Sequence, residues 1–334
     1  MTSGDDREIE LRILRLTNEG DGVGSLPDGP VVFVPYTAPG DRVRVRVVQK
    51  RKRFWRAECL EVLEAGPGRT EPRCAVFGSC GGCAWQHLSY EAQLEAKAEI
   101  LTSALQRIGK LELPAPVEVL PSPSAYAYRG RARIRVQEGQ LGYLQRGSHD
   151  FCAAESCPVL LPVLKNRWRE MNAEGDARDG EWELASGRDS SGREEVVRAA
   201  LFREMDGMDA RIQPDASLDA DPLFLEVEGR RIEISAGGFA QANPLLYDIL
   251  AQQVNEAVGS GDRLLELYCG AGFFTVGLAQ RFSAVQAVEQ SQRAAYDLGK
   301  NLSRSAVVNV LFTPGRVEEV LQRPGIASFA PQVV

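Results

Sequence analysis

The chain has no hydrophobic run near the roughly 18 consecutive apolar residues that a membrane-spanning helix needs. Met1 to Arg15 is acidic and polar, where a secretory leader is basic and then apolar, so no leader is expected there. These two absences make a cytoplasmic protein the expectation. The cysteines number seven, an odd total in a chain for which no export signal is expected, which argues against a disulfide framework. Low-complexity and collagen-like composition is missing as well. Hydrophobic residues make up 44% and charged residues 25%, so the chain can bury a core. Net positive charge is lacking too, at -7 overall, which taken as a total argues against a polyanionic partner. The total misleads, because the charge is segregated. Arg42 to Arg56 holds eight basic residues and no acidic one, Arg129, Arg131, Arg133 and Arg135 form a second concentration, and Glu170 to Glu195 is acidic. A local basic stripe is what electrostatic capture of a polyanion requires.

The 334 residues correspond to two domains of roughly 150, or to three if one is a small barrel. Short alternating strands are predicted at Glu10 to Leu14, Val31 to Val34, Val43 to Val48 and Trp55 to Val62, separated by turn clusters such as Gly20 to Gly24 and Ala38 to Asp41. That pattern suggests an OB-like β-barrel ending near Gly66-Pro67-Gly68. Apolar residues at helical spacing predict a helix from Ser89, its N-cap, to Ile108, with Gly109 as the stop. A strand follows at Tyr128 to Val136, with arginines alternating along one face. Arg169 to Asp221 reads as a polar, insertion-like stretch with modest strands near Glu194 to Phe202. The last hundred residues alternate: helix Leu245 to Val258, strand Arg263 to Tyr268, helix Thr275 to Arg281, strand Ala284 to Glu289, helix Arg293 to Ser303, strand Val307 to Phe312 and a strand beginning at Gln332. Such alternation implies a mostly parallel, doubly wound sheet.

Within it, Leu264 to Phe274 reads as strand, glycine turn and helix start, where backbone can approach a nucleotide-like ligand closely. The pattern is Gly270-x-Gly272 without the third glycine of the dinucleotide fingerprint, which favours S-adenosylmethionine over a pyrophosphate cofactor. Glu289 ends the next strand, 19 residues after Gly270, where a carboxylate can accept both ribose hydroxyls; alternatively it caps the following helix. Cys74-x5-Cys80-x2-Cys83, with a remote Cys157-Pro158, supplies four soft ligands. A local triplet plus a distant Cys-Pro suits an iron-sulfur cubane better than structural zinc, which usually takes two pairs. Cys59 and Cys152 read as ordinary buried thiols. Arg44, Arg46 and Lys50 to Arg53 (Lys50, Arg51, Lys52, Arg53), with Trp55 beside them, combine cations with an aromatic plane, the surface that grips single-stranded RNA; the same reading extends to Arg129, Arg131 and Arg133. A solvated charged face is the alternative for both.

Three stretches carry a family resemblance: Cys80-Gly81-Gly82-Cys83 through Lys97, Gly238-Phe239-Ala240-Gln241-Ala242-Asn243-Pro244, and Leu265 to Phe273. In this order the chain resembles the S-adenosylmethionine-dependent RNA uracil-5-methyltransferases, whose bacterial members modify 23S ribosomal RNA or transfer RNA. The resemblance implies a TRAM-like RNA-binding barrel over 1–67, a mixed α+β iron-sulfur domain over 68–235, and a Rossmann-like class I methyltransferase domain, incomplete, over 236–334. It implies a [4Fe-4S] cluster on Cys74, Cys80, Cys83 and Cys157, and S-adenosylmethionine held by Gln241, Tyr268, Gly270, Gly272, Phe273 and Glu289. It also implies covalent catalysis by a cysteine thiolate and a carboxylate base. Both are expected after residue 334, past an Asp-Pro-Pro-Arg motif, so the chain by itself is expected to be inactive, with Cys269 a structural member of the cofactor turn. The substrate expected is 23S rRNA, with tRNA as the alternative. A non-catalytic RNA-binding iron-sulfur protein is the rival reading.

Overall fold

The structure is a computed structural model that describes residues 7–26, 29–175, 178–201 and 222–334. The chain forms two compact units, 1–121 with 143–154 and 122–142 with 155–334. In the first, β1 (Glu8–Leu16), β2 (Gly22–Ser25), β3 (Val31–Val34), β4 (Arg42–Lys50) and β5 (Phe54–Glu64) close a barrel in the order β1-β2-β3-β5-β4. Alternate residues point inward, and Leu11, Ile13, Val32, Val34, Val43 and Val45 fill it. The expected strands are present. The Gly20 to Gly24 cluster, read as a turn, is a fifth strand from Gly22 onward. Its glycines serve close packing: a Cβ on Gly22 would sit 2.0 Å from Thr37 Oγ1, and one on Gly24 would sit 2.3 Å from Leu11 Cδ1.

The irregular segment with Cys74, Cys80 and Cys83 belongs to this unit and leads into α1 (Tyr90–Arg107). Ser89 caps α1 as expected, its hydroxyl accepting from the Ala92 N–H at 3.2 Å. Leu16 and Ala38 of the barrel pack with Leu88 and Ala96, so barrel and cysteine segment share a core. Two buried aspartates add polar ties: Asp41 to Arg69 at 2.8 Å and Asp21 to Arg146 at 2.6 Å.

The second unit opens with an antiparallel sheet. Its strands are β6 (Arg131–Gln137) and β7 (Gln140–Leu144), which carries the division between units; β8 (Phe151–Ala153) is counted with the first unit. After α2 (Pro162–Glu174) come β9 (Gly180–Arg188), β10 (Glu194–Leu201), β11 (Leu223–Val227) and β12 (Arg230–Ile234), giving the order β12-β11-β9-β6-β7 with β10 paired to β9. The stretch read as an insertion thus contains a helix and a strand pair; its residues 202–221, including Phe202, lie outside the described residues.

A short 3-10 turn leads to α3 (Tyr247–Val258), followed by β13 (Gly261–Leu267), α4 (Thr275–Leu278), β14 (Phe282–Glu289), α5 (Gln292–Arg304), β15 (Val310–Pro314), α6 (Val317–Val320) and α7 (Pro324–Phe329). β13, β14 and β15 are parallel, as the alternation implied, and Val333 bridges to Leu264 in parallel. Helix α4 stops at Leu278, three residues before the expected end at Arg281. Leu264, Leu278, Phe282 and Val285 form the core on one side of this sheet, and Leu265, Val288, Val317 and Val320 the core on the other. Among the described residues no helix is long and apolar enough to cross a membrane.

Candidate cofactor cleft and nucleic-acid interface

The turn after β13 is built from left-handed backbone. Tyr268 (φ 58°), Gly270 (φ 58°) and Gly272 (φ 90°) all have positive φ, and for a tyrosine this is an unusual conformation held by its surroundings. A Cβ on Gly272 would lie 2.7 Å from Leu298 Cδ1, so only glycine lets the turn approach α5 this closely. Glu289, at the end of β14, accepts the Gly270 N–H at 3.1 Å with one oxygen and the Ser291 N–H at 2.8 Å with the other. Ser291, not Glu289, caps α5, accepting from the Ala294 N–H. Glu289 therefore braces the glycine turn at the carboxyl edge of the sheet, where open α/β folds take ligands.

Around this brace lies a cleft of about 550 Å³, lined among others by Phe239, Tyr268, Gly270, Glu289, Arg293 and Asp297. It brings together Tyr268, Gly270 and Glu289 of the six expected cofactor residues. The other three are placed elsewhere. Gly272 faces Leu298. Phe273 turns inward, its ring edge-on to Tyr247 at 5.2 Å and to Phe274 at 4.9 Å. Gln241 offers its carbonyl to the Tyr247 hydroxyl at 2.8 Å and does not line the cleft. Sequence reasoning missed Phe239, Arg293 and Asp297. Phe239 sits inside the Gly238 to Pro244 motif and is 76% exposed; Arg293 and Asp297 are four apart on a helix, a spacing that puts them on one face.

Two titratable groups lie beneath the turn. Glu266 of β13 is half-buried, with its Oε2 shut off from water and without a hydrogen-bond partner, and this desolvation pushes its carboxyl up to about 7. Cys269 packs with Ala287 and Leu298, and burial, reinforced by the carboxylates of Glu266 and Glu289, pushes its thiol up. A buried, protonated thiol is a poor nucleophile, which agrees with a structural place in the turn.

Of the expected cluster ligands, Cys74, Cys80 and Cys83 lie in the first unit and Cys157 in the second. Burial pushes the Cys80 thiol up to about 11, with Cys152, Cys83 and Cys74 near enough to add to the effect, while the Gly82 N–H at 3.4 Å from its sulfur opposes it. By donor type, and with a backbone N–H already directed at a sulfur, the loop fits a thiolate-held group. Among the described residues, no three His, Cys, Asp or Glu side chains converge on one metal position.

The basic stripe is partly neutralised by its neighbours in the barrel. Strand β4 runs between β1 and β5, so Arg44 pairs with Glu61 at 3.1 Å, Arg42 with Glu64 at 2.8 Å, and Arg46 is in register with Glu8 and Glu58. Reading along the chain hides these acids because they lie on other strands. The β4–β5 turn is different: Lys50, Arg51, Lys52 and Arg53 are exposed, and the Lys50 ammonium lies 4.8 Å from the Trp55 ring centroid. Arg131 is turned to internal work, pairing with Glu183 at 3.4 Å and donating to the Gly238 carbonyl. Arg129 donates to the Arg131 carbonyl at 2.8 Å, and Arg133 is exposed.

Comparison with known proteins gives the following. A family model described as TRAM domain matches residues 6–60, and one described as tRNA (Uracil-5-)-methyltransferase matches residues 218–323. The chain is 33% identical to 23S rRNA (uracil(1939)-C(5))-methyltransferase RlmD of Halomonas elongata, over 100% of this chain and 76% of the relative. It is 31% identical to an uncharacterized RNA methyltransferase of Streptomyces avermitilis, over 96% and 80% respectively. Among solved structures it is similar to the tRNA (uracil-54, C5)-methyltransferase of Pyrococcus abyssi in complex with S-adenosyl-L-homocysteine, with a TM-score of 0.66 and 22% identity over 92% of this chain and 79% of the other.

Proposed function

The chain belongs to the S-adenosylmethionine-dependent RNA uracil-5-methyltransferase family, with a TRAM domain at its amino end, and from that premise we propose that it takes part in methylation of a uridine C5 in 23S rRNA, inside the cytoplasm. The observation that carries the reading is the cleft at the end of β14, where Glu289 braces the Gly270 turn. S-adenosylmethionine supplies an electrophilic methyl group when bound. The chain's own part is to hold the nucleoside: Glu289 faces the ribose, Tyr268 offers an aromatic face at the rim, and the Gly270 to Gly272 turn admits the ligand close to backbone. By the family resemblance Gln241 and Phe273 contribute as well, through backbone at Phe273.

RNA is gripped at the Lys50 to Arg53 turn, where phosphates meet cations and an unpaired base can stack near Trp55. The preference for 23S rRNA over tRNA rests on the relative of Halomonas elongata. Cys74, Cys80 and Cys83 fit a [4Fe-4S] cluster by donor chemistry, with Cys157 assigned as the fourth ligand on sequence spacing; the cluster staples the irregular cysteine segment. The thiolate that adds to the uracil ring is not Cys269.

Co-retention of methyl-labelled S-adenosylmethionine and a uridine-containing 23S rRNA fragment by the anaerobically purified protein tests the reading. Both ligands are expected in one complex, with tRNA retained less well. RNA retained without any cofactor would leave the rival reading, a non-catalytic RNA-binding protein.

A further inference from the structure

Helix α5 starts three residues after Glu289 and docks through polar side chains on one face, at positions 293, 297, 301 and 304. Asn301 is fully buried: its Oδ1 accepts the Glu233 N–H at 2.7 Å, and its Nδ2 donates to the carbonyls of Glu233 and Ala271, each at 2.9 Å. Lys300 and Arg304 both pair with the Glu233 carboxylate. Arg293 donates to the Ala236 carbonyl. Asp297, also fully buried, accepts the Ser235 N–H at 3.0 Å on one oxygen and the Ser235 hydroxyl on the other.

The segment after β12 turns tightly around this carboxylate. The Gly238 N–H closes onto the Ser235 carbonyl at 2.8 Å, and a Cβ on Gly238 would lie 2.9 Å from that oxygen and 3.4 Å from Asp297 Oδ2. Gly237, Gly238 and the exposed Phe239 of this turn line the cleft together with Asp297 itself. Apolar packing tolerates sliding, whereas hydrogen bonds to a buried carboxylate fix direction as well as distance.

We propose that Asp297 is a positioning residue for the cofactor site, holding the Ser235–Gln241 loop through Ser235 so that Phe239 meets the ligand bound at Glu289. The inference rests on the cofactor reading given above. Cofactor enters at the start of α5, and the loop is fastened about one and a half turns along the same helix, so one rigid element sets both walls of the site.

The test is titration calorimetry with S-adenosylhomocysteine on the wild-type chain, Ser235→Ala, Ser235→Thr and Asp297→Asn, with amide hydrogen exchange of residues 236–241 and thermal midpoints recorded for each. Ser235→Ala is expected to bind about tenfold more weakly, the scale of one lost hydrogen bond to a charged group, with faster exchange in the loop and a midpoint lowered by only a few degrees. Ser235→Thr, which keeps the hydroxyl, is expected to restore both. Should Asp297→Asn fail to fold, the Ser235 pair still decides. Wild-type affinity and wild-type loop exchange in Ser235→Ala would overturn the proposal. Absence of any binding by the wild-type chain would instead overturn the cofactor reading, and the exchange measurement on ligand-free protein would still report whether Asp297 holds the loop.

Discussion

The carboxylate of Glu289 accepts the amide of Gly270 across the top of two adjacent parallel strands, at 3.1 Å. Its second oxygen takes the Ser291 N–H, so the side chain is held flat against the mouth of the cleft. Glu289→Gln replaces one acceptor by a donor. S-adenosylhomocysteine affinity is expected to fall by about tenfold or more, from loss of charge-assisted hydrogen bonding, while far-ultraviolet circular dichroism stays unchanged. Unaltered affinity in calorimetry would count against a ribose-facing role.

The two parts of the basic stripe are expected to separate in a salt titration. Arg44 is already paired with Glu61, so Arg44→Ala should change RNA affinity little. Lys52→Ala combined with Arg53→Ala removes two exposed cations, and the slope of log affinity against log salt is expected to become shallower by about 1.4, at roughly 0.7 per phosphate contact on single strands. Filter binding across a potassium chloride series reads both. Equal slopes for the two variants would place the RNA elsewhere.

Cys269 is expected to behave as a packed thiol. Burial beside Glu266 and Glu289 keeps it protonated, so alkylation by iodoacetamide at about pH 7.5, below the ordinary thiol range, should be slow until the chain unfolds. RNA bearing 5-fluorouridine, which traps a thiolate adduct because the ring carbon has no proton to lose, should form none at this residue. Mass spectrometry of the peptide containing Cys269 checks both, and an adduct there would make it the nucleophile.

Glu266 gives a pH dependence with a definite sign. Folded, it keeps its proton up to about pH 7; its ordinary value is 4.5. Between those values the folded state binds more protons than the unfolded one, so this residue's contribution to stability falls as pH rises through the window and is constant above it. Glu266→Gln removes the fall. The stability of the variant relative to the wild type is expected to rise by about 3 kcal/mol from about pH 4.5 to about pH 8, at roughly 1.4 kcal/mol for each pH unit separating the folded and unfolded carboxyl. His87, lowered to about 4 by burial, works in the opposite direction as pH falls below its ordinary range, which is why the difference between variant and wild type is the quantity to measure. Parallel urea denaturation curves at each pH would contradict the prediction if the difference stayed constant.

Where periodicity and turn chemistry act locally, the fold was legible: Ser89 capping α1, the glycine turn after β13, and the parallel β13-β14-β15 sheet were all readable from spacing. What depends on partners distant in sequence was not. Gly22 and Gly24 looked like turn residues because the side chains that exclude a Cβ, Thr37 and Leu11, lie on other segments. Arg44 and Arg131 looked available because Glu61 and Glu183 lie far along the chain. In the cleft, Glu289 followed from its strand end and Tyr268 from the family resemblance, whereas Asp297 depends on Ser235, 62 residues away.

Titration of S-adenosylhomocysteine into the chain, repeated in the presence of NAD, tests the cofactor cleft most directly. One ligand bound per chain and no displacement by NAD is the expected result, since the turn lacks the third glycine of a pyrophosphate site. No saturable heat, or displacement of the nucleoside by NAD, would contradict it.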